Sequence, residues 1–356
     1  MTAVAAPVIS EVRNQIGHLI LNRPEGLNAL TLEMVQLLQQ QLDRWAHDAA
    51  VQAVVLRTTN ERAFCVGGDI RALHDSFKAG DTLHETFFEQ EYTLDQYIHT
   101  YPKPVLALLD GLVLGGGMGL VQGADLRVIT ERTRMGMPEV GIGYFPDVGG
   151  SYFLSRLQGE LGTYLGVTGI HVRAADALFS GLADYCISSD KLSMLLDSLD
   201  TVDWDGSTAL TTLQAVIEQL AVRKLPGAEL KTLLPAINQH FAHDKLTEVK
   251  ASLQAEHRPE YQSWAEEVVS ILSSRSPLAM AVTLALLRRG AGLTLAQCLT
   301  LELHLDRQWF AKGDIVEGVR ALLIDKDKQP KWNPPKIEQV DDARVAAFFV
   351  GFNAVA

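Results

Sequence analysis

Residues 114–150, LGGGMGLVQGADLRVITERTRMGMPEVGIGYFPDVGG, constrain this chain more than any other stretch. They open on the consecutive glycines Gly115, Gly116 and Gly117 and carry Glu139 directly after one proline and Asp147 directly after another, with Gly141, Gly143, Gly149 and Gly150 around them. Glycine lets a backbone approach a ligand closely and take positive φ, so main-chain N–H groups can be aimed at a substrate oxygen. The alternative is that these glycines only make tight turns between strands. Two carboxylates behind prolines in the same stretch favour a site built from main chain and acids.

The flanking sequence supplies the scaffold. Residues 8–22 alternate apolar and polar around Gln15 and Gly17, which predicts a hairpin of Val8–Arg13 and 18–21. Thr31 is placed to cap a helix, with Glu33 in its first turn and Met34, Leu37, Leu38, Leu42 and Trp45 on one face. Ala53–Thr58 is a continuous apolar run, hence a buried strand, and it delivers the chain into NERAFCVGGD at 60–69. A helix is expected over 82–101, ended by Pro102 and Pro104. Val105–Leu109 reads as the next buried strand, running into the triple glycine, followed by a short helix at 118–122 and strands at Leu126–Thr130 and 134–137. The order strand, strand, helix recurs about four times by position, without sequence self-similarity. A stack of such units is the expected α/β fold.

From Gly159 the pattern turns helical. Residues 190–260 carry apolar residues at helical spacing with polar joints at 203–207 and 225–229, and Ser276 starts a helix on PLAMAVTLALLRR. Residues 325–335, rich in Lys, Asp and Pro, are expected as an extended arm. A chain of 356 residues exceeds the usual single-domain size. The boundary is expected near Ser188, with a core over 1–188 that carries the site and a mainly helical region with an extended tail over 189–356.

A net charge of −12 without a basic stripe argues against a nucleic-acid or membrane partner, and an anionic ligand would need local Lys or Arg groups or helix N-termini. Cys65, Cys186 and Cys298 lie more than a hundred residues apart and form no CxxC pair, so neither a disulfide framework nor a zinc site is indicated. With an N-terminus, MTAVAAPVIS, that reads as neither secretory signal nor transit peptide, the expected location is cytoplasmic.

Two glycine turns each follow a buried strand: Gly67 and Gly68 after Ala53–Thr58, and 115–117 after Val105–Leu109. If the strands are neighbours, one amide from each turn converges on a single oxygen, which is the construction of an oxyanion hole; the N–H groups of Gly68 and Gly116 are the expected donors. Neither turn is a dinucleotide or phosphate fingerprint. Among lesser candidates, Cys65 is read as a small buried residue rather than a nucleophile. His240 and His243 are read as a solvated helix face without a carboxylate partner, and Ser151 lacks the second glycine of a GxSxG elbow because position 153 is Phe. Arg62, Arg71 and Lys103 flank the turns and are either coenzyme A phosphate partners or bystanders.

FCVGGDI at 64–70, GGGMGL at 115–120 and MPEVGIGYFPDVGGSYFLSRLQG at 137–159 resemble the crotonase (enoyl-CoA hydratase/isomerase) superfamily, in its 3-hydroxyisobutyryl-CoA hydrolase branch. The resemblance continues in TGI at 168–170, SP at 276–277 and EGVRALLIDKDKQPKW at 317–332, and so spans nearly the whole chain. It implies a crotonase-like spiral of repeated ββα units with a helical C-terminal region, and a thioester oxygen held by the amides of Gly68 and Gly116. Carried over residue by residue, Glu91, Gly116, Glu139 and Asp147 fall on the family's substrate-binding and catalytic positions. True hydratases carry a first catalytic Glu where this chain has Gly119, and Gly where it has Asp147, which favours hydrolysis.

A thioester is an activated acyl group with a thiolate leaving group, so an oxyanion hole and one carboxylate suffice without a Ser-His-Asp triad. Glu139 is expected to attack the carbonyl or to deprotonate water, and Asp147 to hold the substrate's 3-hydroxyl or the water. Phe145 and members of 82–92 are expected at the acyl end of the pocket. The expected reaction is hydrolysis of a small 3-hydroxyacyl-CoA, 3-hydroxyisobutyryl-CoA of valine breakdown, with coenzyme A as part of the substrate and no metal or redox cofactor. A hydratase or isomerase on the same fold and a non-catalytic acyl-CoA-binding protein are the alternatives. The superfamily self-associates through helical surfaces, which the extra helices of this chain could cover or replace, so a homo-oligomer and a monomer both fit.

Overall fold

The structure is a computed structural model that describes residues 6–204, 206 and 208–353. Residues 1–5, which belong to the N-terminal reading above, and Asp205 and Ser207 of the polar joint at 203–207 lie outside the described residues. Strands β1 (Val8–Arg13) and β2 (Ile16–Leu21) form the expected hairpin. Its two turn residues, Asn14 and Gln15, take φ of 44° and 63°, the left-handed pair whose twist matches the strands it joins. The helix Leu32–Ala46 is capped as expected by Thr31, whose hydroxyl accepts the N–H of Met34.

Beyond the hairpin the chain repeats one unit: a strand, a second short strand, then a helix. Strands β3 (Ala53–Thr58) and β4 (Ala63–Cys65) precede the helix Ile70–Ala79, and β5 (Val105–Leu109) and β6 (Leu112–Leu114) precede the helix Gly116–Gln122. Strands β7 (Leu126–Thr130) and β8 (Arg134–Gly136) follow, then β9 (Val172–Arg173) and β10 (Tyr185–Ile187). In the pairs β3–β4, β5–β6 and β7–β8 the first strand joins a six-stranded sheet in the order β1-β2-β3-β5-β7-β10 and the second a smaller sheet in the order β4-β6-β8-β9, whereas in the last pair β9 lies in the smaller sheet and β10 in the larger. Strands β2, β3, β5, β7 and β10 run parallel, so they are buried on both faces and read as continuous apolar runs.

The chain folds into two compact units that interleave along the sequence. The first comprises Met1–Asp69, Gln90–Met135 and Val172–Ala228, and the second Ile70–Glu89, Gly136–His171 and Glu229–Ala356. They do not divide at residue 188. The helices Leu192–Thr201 and Ala209–Leu220 belong with the sheet, because Leu195, Leu199, Leu213 and Ile217 cover the apolar face made by Val55, Leu106, Leu126 and Val128. Among the described residues every regular element after β10 is helical, as expected.

Among the described residues the regular elements lying wholly within the second unit are helices. The helix Leu161–Thr168 is buried along its whole length. A Cβ on Gly166 would touch Leu287 and Thr283 of the helix Pro277–Gly290, so glycine lets these two helices approach closely. Ser276 caps that helix as expected, accepting the N–H of Ala279. Among the described residues no single helix is long and apolar enough to cross a membrane.

Candidate active site

In the first unit, β4 and β6 are paired neighbours, Ala63 opposite Leu112 and Cys65 opposite Val113, so the turns that leave them lie side by side. Gly67 and Gly115 take φ of 99° and 52°, conformations that a side chain would strain. Leu30 N–H donates to the carbonyl of Gly67 at 2.8 Å and Asp69 N–H donates to the carbonyl of Leu30 at 2.8 Å. These bonds pin the turn on either side of Gly68 and leave its N–H out. Gly116 opens the helix Gly116–Gln122, and the first N–H groups of a helix have no acceptor within it.

The two amides are close. A Cβ on Gly116 would stand 3.4 Å from the nitrogen of Gly68, and a Cβ on Gly67 would stand 3.4 Å from the nitrogen of Gly116. The same imagined Cβ on Gly116 would overlap Oε1 of Glu91, which is buried at 1% exposure. Glu91 thus lies inside the fold beside the two turns. Gly68, Gly116 and Glu91 meet at one spot, and the arrangement can offer two N–H donors beside a carboxyl. Cys65, fully buried just upstream, has its thiol pushed up to about 12, first by burial and then by the nearby Glu91 and Asp95.

In the second unit, Glu139 begins a 3₁₀ turn, Glu139–Ile142, behind Pro138. The turn is anchored on both sides: Ser276 N–H donates to the carbonyl of Val140 at 3.1 Å, and the indole of Trp309 donates to the carbonyl of Gly143 at 2.8 Å. Tyr144 N–H closes back onto the carbonyl of Glu139 at 2.9 Å. The Glu139 carboxyl is buried, and its Oε2 has no hydrogen-bond partner among the described residues. Burial, and after it the charge of Asp147, pushes Glu139 well above the usual carboxylate range. Asp147 is itself buried at 5% exposure.

Behind Asp147 the backbone is bent hard. Val148 takes φ 49° and Gly149 φ 83°, and Gly150 N–H closes onto the carbonyl of Asp147 at 2.6 Å. A β-branched residue in the left-handed region is an outlier that surrounding structure must hold. Glu302, from the helix Leu295–Lys312, holds it: its Oε2 accepts Gly149 N–H at 2.7 Å, and its Oε1 accepts Ser151 N–H at 2.8 Å and the Ser151 hydroxyl at 2.5 Å. Burial, opposed by these bonds and reinforced by Asp147, pushes Glu302 up to about 8.

Sequence reasoning missed Glu302, yet it left a signal. Cys298, Glu302, Leu305 and Trp309 share the buried face of one helix, so an acid sits on an apolar stripe. Tyr144 was missed too; its buried hydroxyl has no partner among the described residues. Phe145 is fully buried, with ring centroids 4.5 Å from Tyr144 and 5.0 Å from Trp309.

Other candidates fall elsewhere. His240 is buried, not solvated, and it has a carboxylate partner: Ser252 lies 2.7 Å from Nδ1 and Glu256 2.9 Å from Nε2. The partner lies in the loop between the helices Leu246–Gln254 and Pro259–Ser274, which spacing within one helix does not show. Lys103 donates to the carbonyls of Trp45 and Asp48, at the end of the helix Leu32–Ala46, and Arg71 donates to the carbonyl of Leu323. Arg62 is exposed. Among the described residues no group of three or more His, Cys, Asp or Glu side chains is placed to hold a metal ion.

Residues 16–349 match a family model described as enoyl-CoA hydratase/isomerase. The chain is 36% identical over 348 residues to the 3-hydroxyisobutyryl-CoA hydrolase, mitochondrial, of Rattus norvegicus, covering 97% of this chain and 89% of the rat protein. It is 35% identical over 345 residues to the protein of the same name from Homo sapiens, covering 96% and 88%. Among solved structures, it is similar to a carnitinyl-CoA dehydratase from Mycobacterium thermoresistibile, with a TM-score of 0.89 at 36% identity over 98% of this chain and 97% of that one. It is likewise similar to an enoyl-CoA hydratase from Rhodobacter sphaeroides, with a TM-score of 0.87 at 34% identity over 97% of each chain.

Proposed function

The chain belongs to the enoyl-CoA hydratase/isomerase family, and from that premise we propose that it hydrolyses a small 3-hydroxyacyl-CoA thioester, 3-hydroxyisobutyryl-CoA of valine breakdown, to the free hydroxy acid and coenzyme A. The observation that carries the reading is Glu139, a buried carboxyl with an orphan oxygen and a raised proton affinity. Buried acids perturbed in this way cluster at reaction centres. The names of the curated relatives support the substrate.

In this reading the N–H groups of Gly68 and Gly116 hold the thioester oxygen as it gains negative charge. Glu91 orders the substrate beside them, and Asp147 reads the 3-hydroxyl. Glu139 either adds to the carbonyl carbon, expelling the thiolate and leaving a mixed anhydride that water opens, or takes a proton from a water that adds directly. The thiolate leaves with little need of an acid. Rapid-quench mass analysis separates the routes: an acyl group on residue 139 marks the anhydride, and its absence during turnover marks the general base.

The test of the function is free-thiol release from 3-hydroxyisobutyryl-CoA beside loss of crotonyl-CoA absorbance in parallel. Thiol release from the hydroxyacyl ester is expected. A hydratase is the second reading, favoured by the names of the two similar structures and opposed by Gly119, which leaves half of a hydratase's acid/base pair missing. Loss of crotonyl-CoA without thiol would establish it. The proposal needs no metal, so dialysis against a chelator should leave the rate unchanged. A cytoplasmic location is part of the same reading, whereas the curated relatives carry "mitochondrial" in their names, and cell fractionation decides. Self-association as a homo-oligomer is checked by sedimentation.

A further inference from the structure

Glu302 sits 0% exposed on the buried face of the helix Leu295–Lys312, 153 residues along the chain from Gly149. Its two oxygens take three donors: the N–H of Gly149 at 2.7 Å, the N–H of Ser151 at 2.8 Å and the hydroxyl of Ser151 at 2.5 Å. Those donors lie two and four residues after Asp147, and the residues between include Val148 and Gly149, both in the left-handed region. Left alone, a valine at φ 49° would relax. Relaxation would swing the peptide that carries Asp147, because the backbone angles at 148 and 149 set the direction of the chain leaving it.

A neutral amide is the alternative at such a position. The acid is the costlier choice here, because it is buried and the charge of Asp147 opposes its ionisation. What a carboxylate offers and an amide does not is acceptance at both oxygens, so that all three donors are held together. We propose that Glu302 is a positioning residue for the reaction, fixing the turn 147–151 so that the Asp147 carboxylate meets the 3-hydroxyl of the substrate. The proposal rests on the reading of Asp147 given above. Glu302 itself touches neither substrate nor reacting atoms in this scheme.

The experiment, run at about pH 9 so that Glu302, pushed up to about 8, is ionised, measures thiol release from 3-hydroxyisobutyryl-CoA and from isobutyryl-CoA, which lacks the hydroxyl, and takes the ratio of their kcat/KM values. Glu302→Gln keeps the shape but turns an N–H donor towards one of the three donors. It should lower kcat/KM for the hydroxy ester by about 10- to 100-fold, as a displacement of order 1 Å does, while isobutyryl-CoA changes by less than about three-fold. Asp147→Asn should collapse the ratio at least as far, and adding Glu302→Gln to Asp147→Asn should lower it no further, since both act through one carboxylate.

Leu305→Ala, on the same buried helix face, is the control: it should lower the melting temperature and leave the ratio intact. Ser151→Ala, which removes one donor and strands no charge, should lower the ratio by a few-fold and serves if Glu302→Gln does not fold. An unchanged ratio in Glu302→Gln, or the same collapse in Leu305→Ala, overturns the positioning role while leaving the reading of Asp147 in place. An unchanged ratio in Asp147→Asn overturns both.

Discussion

Asp147 raises the proton affinity of Glu139: the two buried carboxyls, eight positions apart in sequence, oppose each other's charge, and burial acts in the same direction. A pH dependence follows with opposite signs for activity and stability. In the proposed reaction Glu139 must be ionised, whether as nucleophile or base, so kcat/KM for thiol release should rise with pH through an apparent pKa above the usual carboxylate range. Stability moves the other way. The folded state holds the Glu139 proton to higher pH than the unfolded chain does, so the stabilisation is fully present below the unfolded pKa and is lost as pH rises through the folded one.

Glu139→Gln should lose about 10² to 10⁴ in turnover together with the rising limb, and gain on the wild type in melting temperature as pH increases. Glu302, pushed up to about 8, has the same sign, so part of the falling stability limb should survive in that variant. A pH–rate profile whose rising limb persists in Glu139→Gln would remove this residue from the chemistry.

Gly116 is a glycine because Glu91 occupies the space a side chain would need. Gly116→Ala must push aside a buried carboxyl and crowd the nitrogen of Gly68, so on the proposed oxyanion role it should lower turnover by about 10² or more, the loss of one such donor being worth about 3 kcal/mol. It should also lower the melting temperature. Adding Glu91→Ala frees the space, so the double variant should recover melting temperature over Gly116→Ala without recovering turnover. Calorimetry and thiol release on the four proteins complete the cycle, and recovery of neither quantity would mean that the clash lies elsewhere.

The long elements were legible in the sequence because their period is. The caps at Thr31 and Ser276 and the strands Ala53–Thr58 and Val105–Leu109 stand where the pattern puts them. Strands β4 and β6 were not read, since three residues carry no period, and yet their pairing is what brings Gly68 beside Gly116. The helix Ile70–Ala79 was missed although Asp69 stands just before it and Gly80, at φ 74°, just after it. The Glu139 and Asp147 turns announce themselves through proline and glycine. The anchors of those turns do not, because Glu302, Trp309 and Ser276 come from helices more than a hundred residues later and are joined to them only by folding.

His18, in β2, is fully buried, and neither ring nitrogen has a hydrogen-bond partner among the described residues. Burial first, then Arg13 and Arg57, lowers its pKa to about 3. The unfolded chain therefore takes up this proton as pH falls below about 6.5, and the folded protein does not until near 3, so stability present at neutral pH is lost on acidification across that window. His18→Gln should melt less steeply with falling pH than the wild type. Parallel slopes between pH 7 and about 4 would show that other groups govern acid unfolding.

Cys65 stands just upstream of the turn proposed to donate to the thioester oxygen and is the rival to the nucleophile role proposed for Glu139. Only a thiolate attacks a thioester, and burial with Glu91 and Asp95 nearby pushes this thiol up to about 12. Cys186, up to about 11, and Cys298, also raised, are buried as well. Iodoacetamide at about pH 8 should therefore leave thiol-releasing activity intact over the time in which the denatured protein is fully alkylated. Cys65→Ala should retain turnover within about three-fold, its cost being that of one small buried group. Rapid inactivation by iodoacetamide, blocked by substrate and absent in Cys65→Ala, would transfer the nucleophile from Glu139 to Cys65. Labelling only after unfolding, with activity retained until then, leaves the carboxylate route in place.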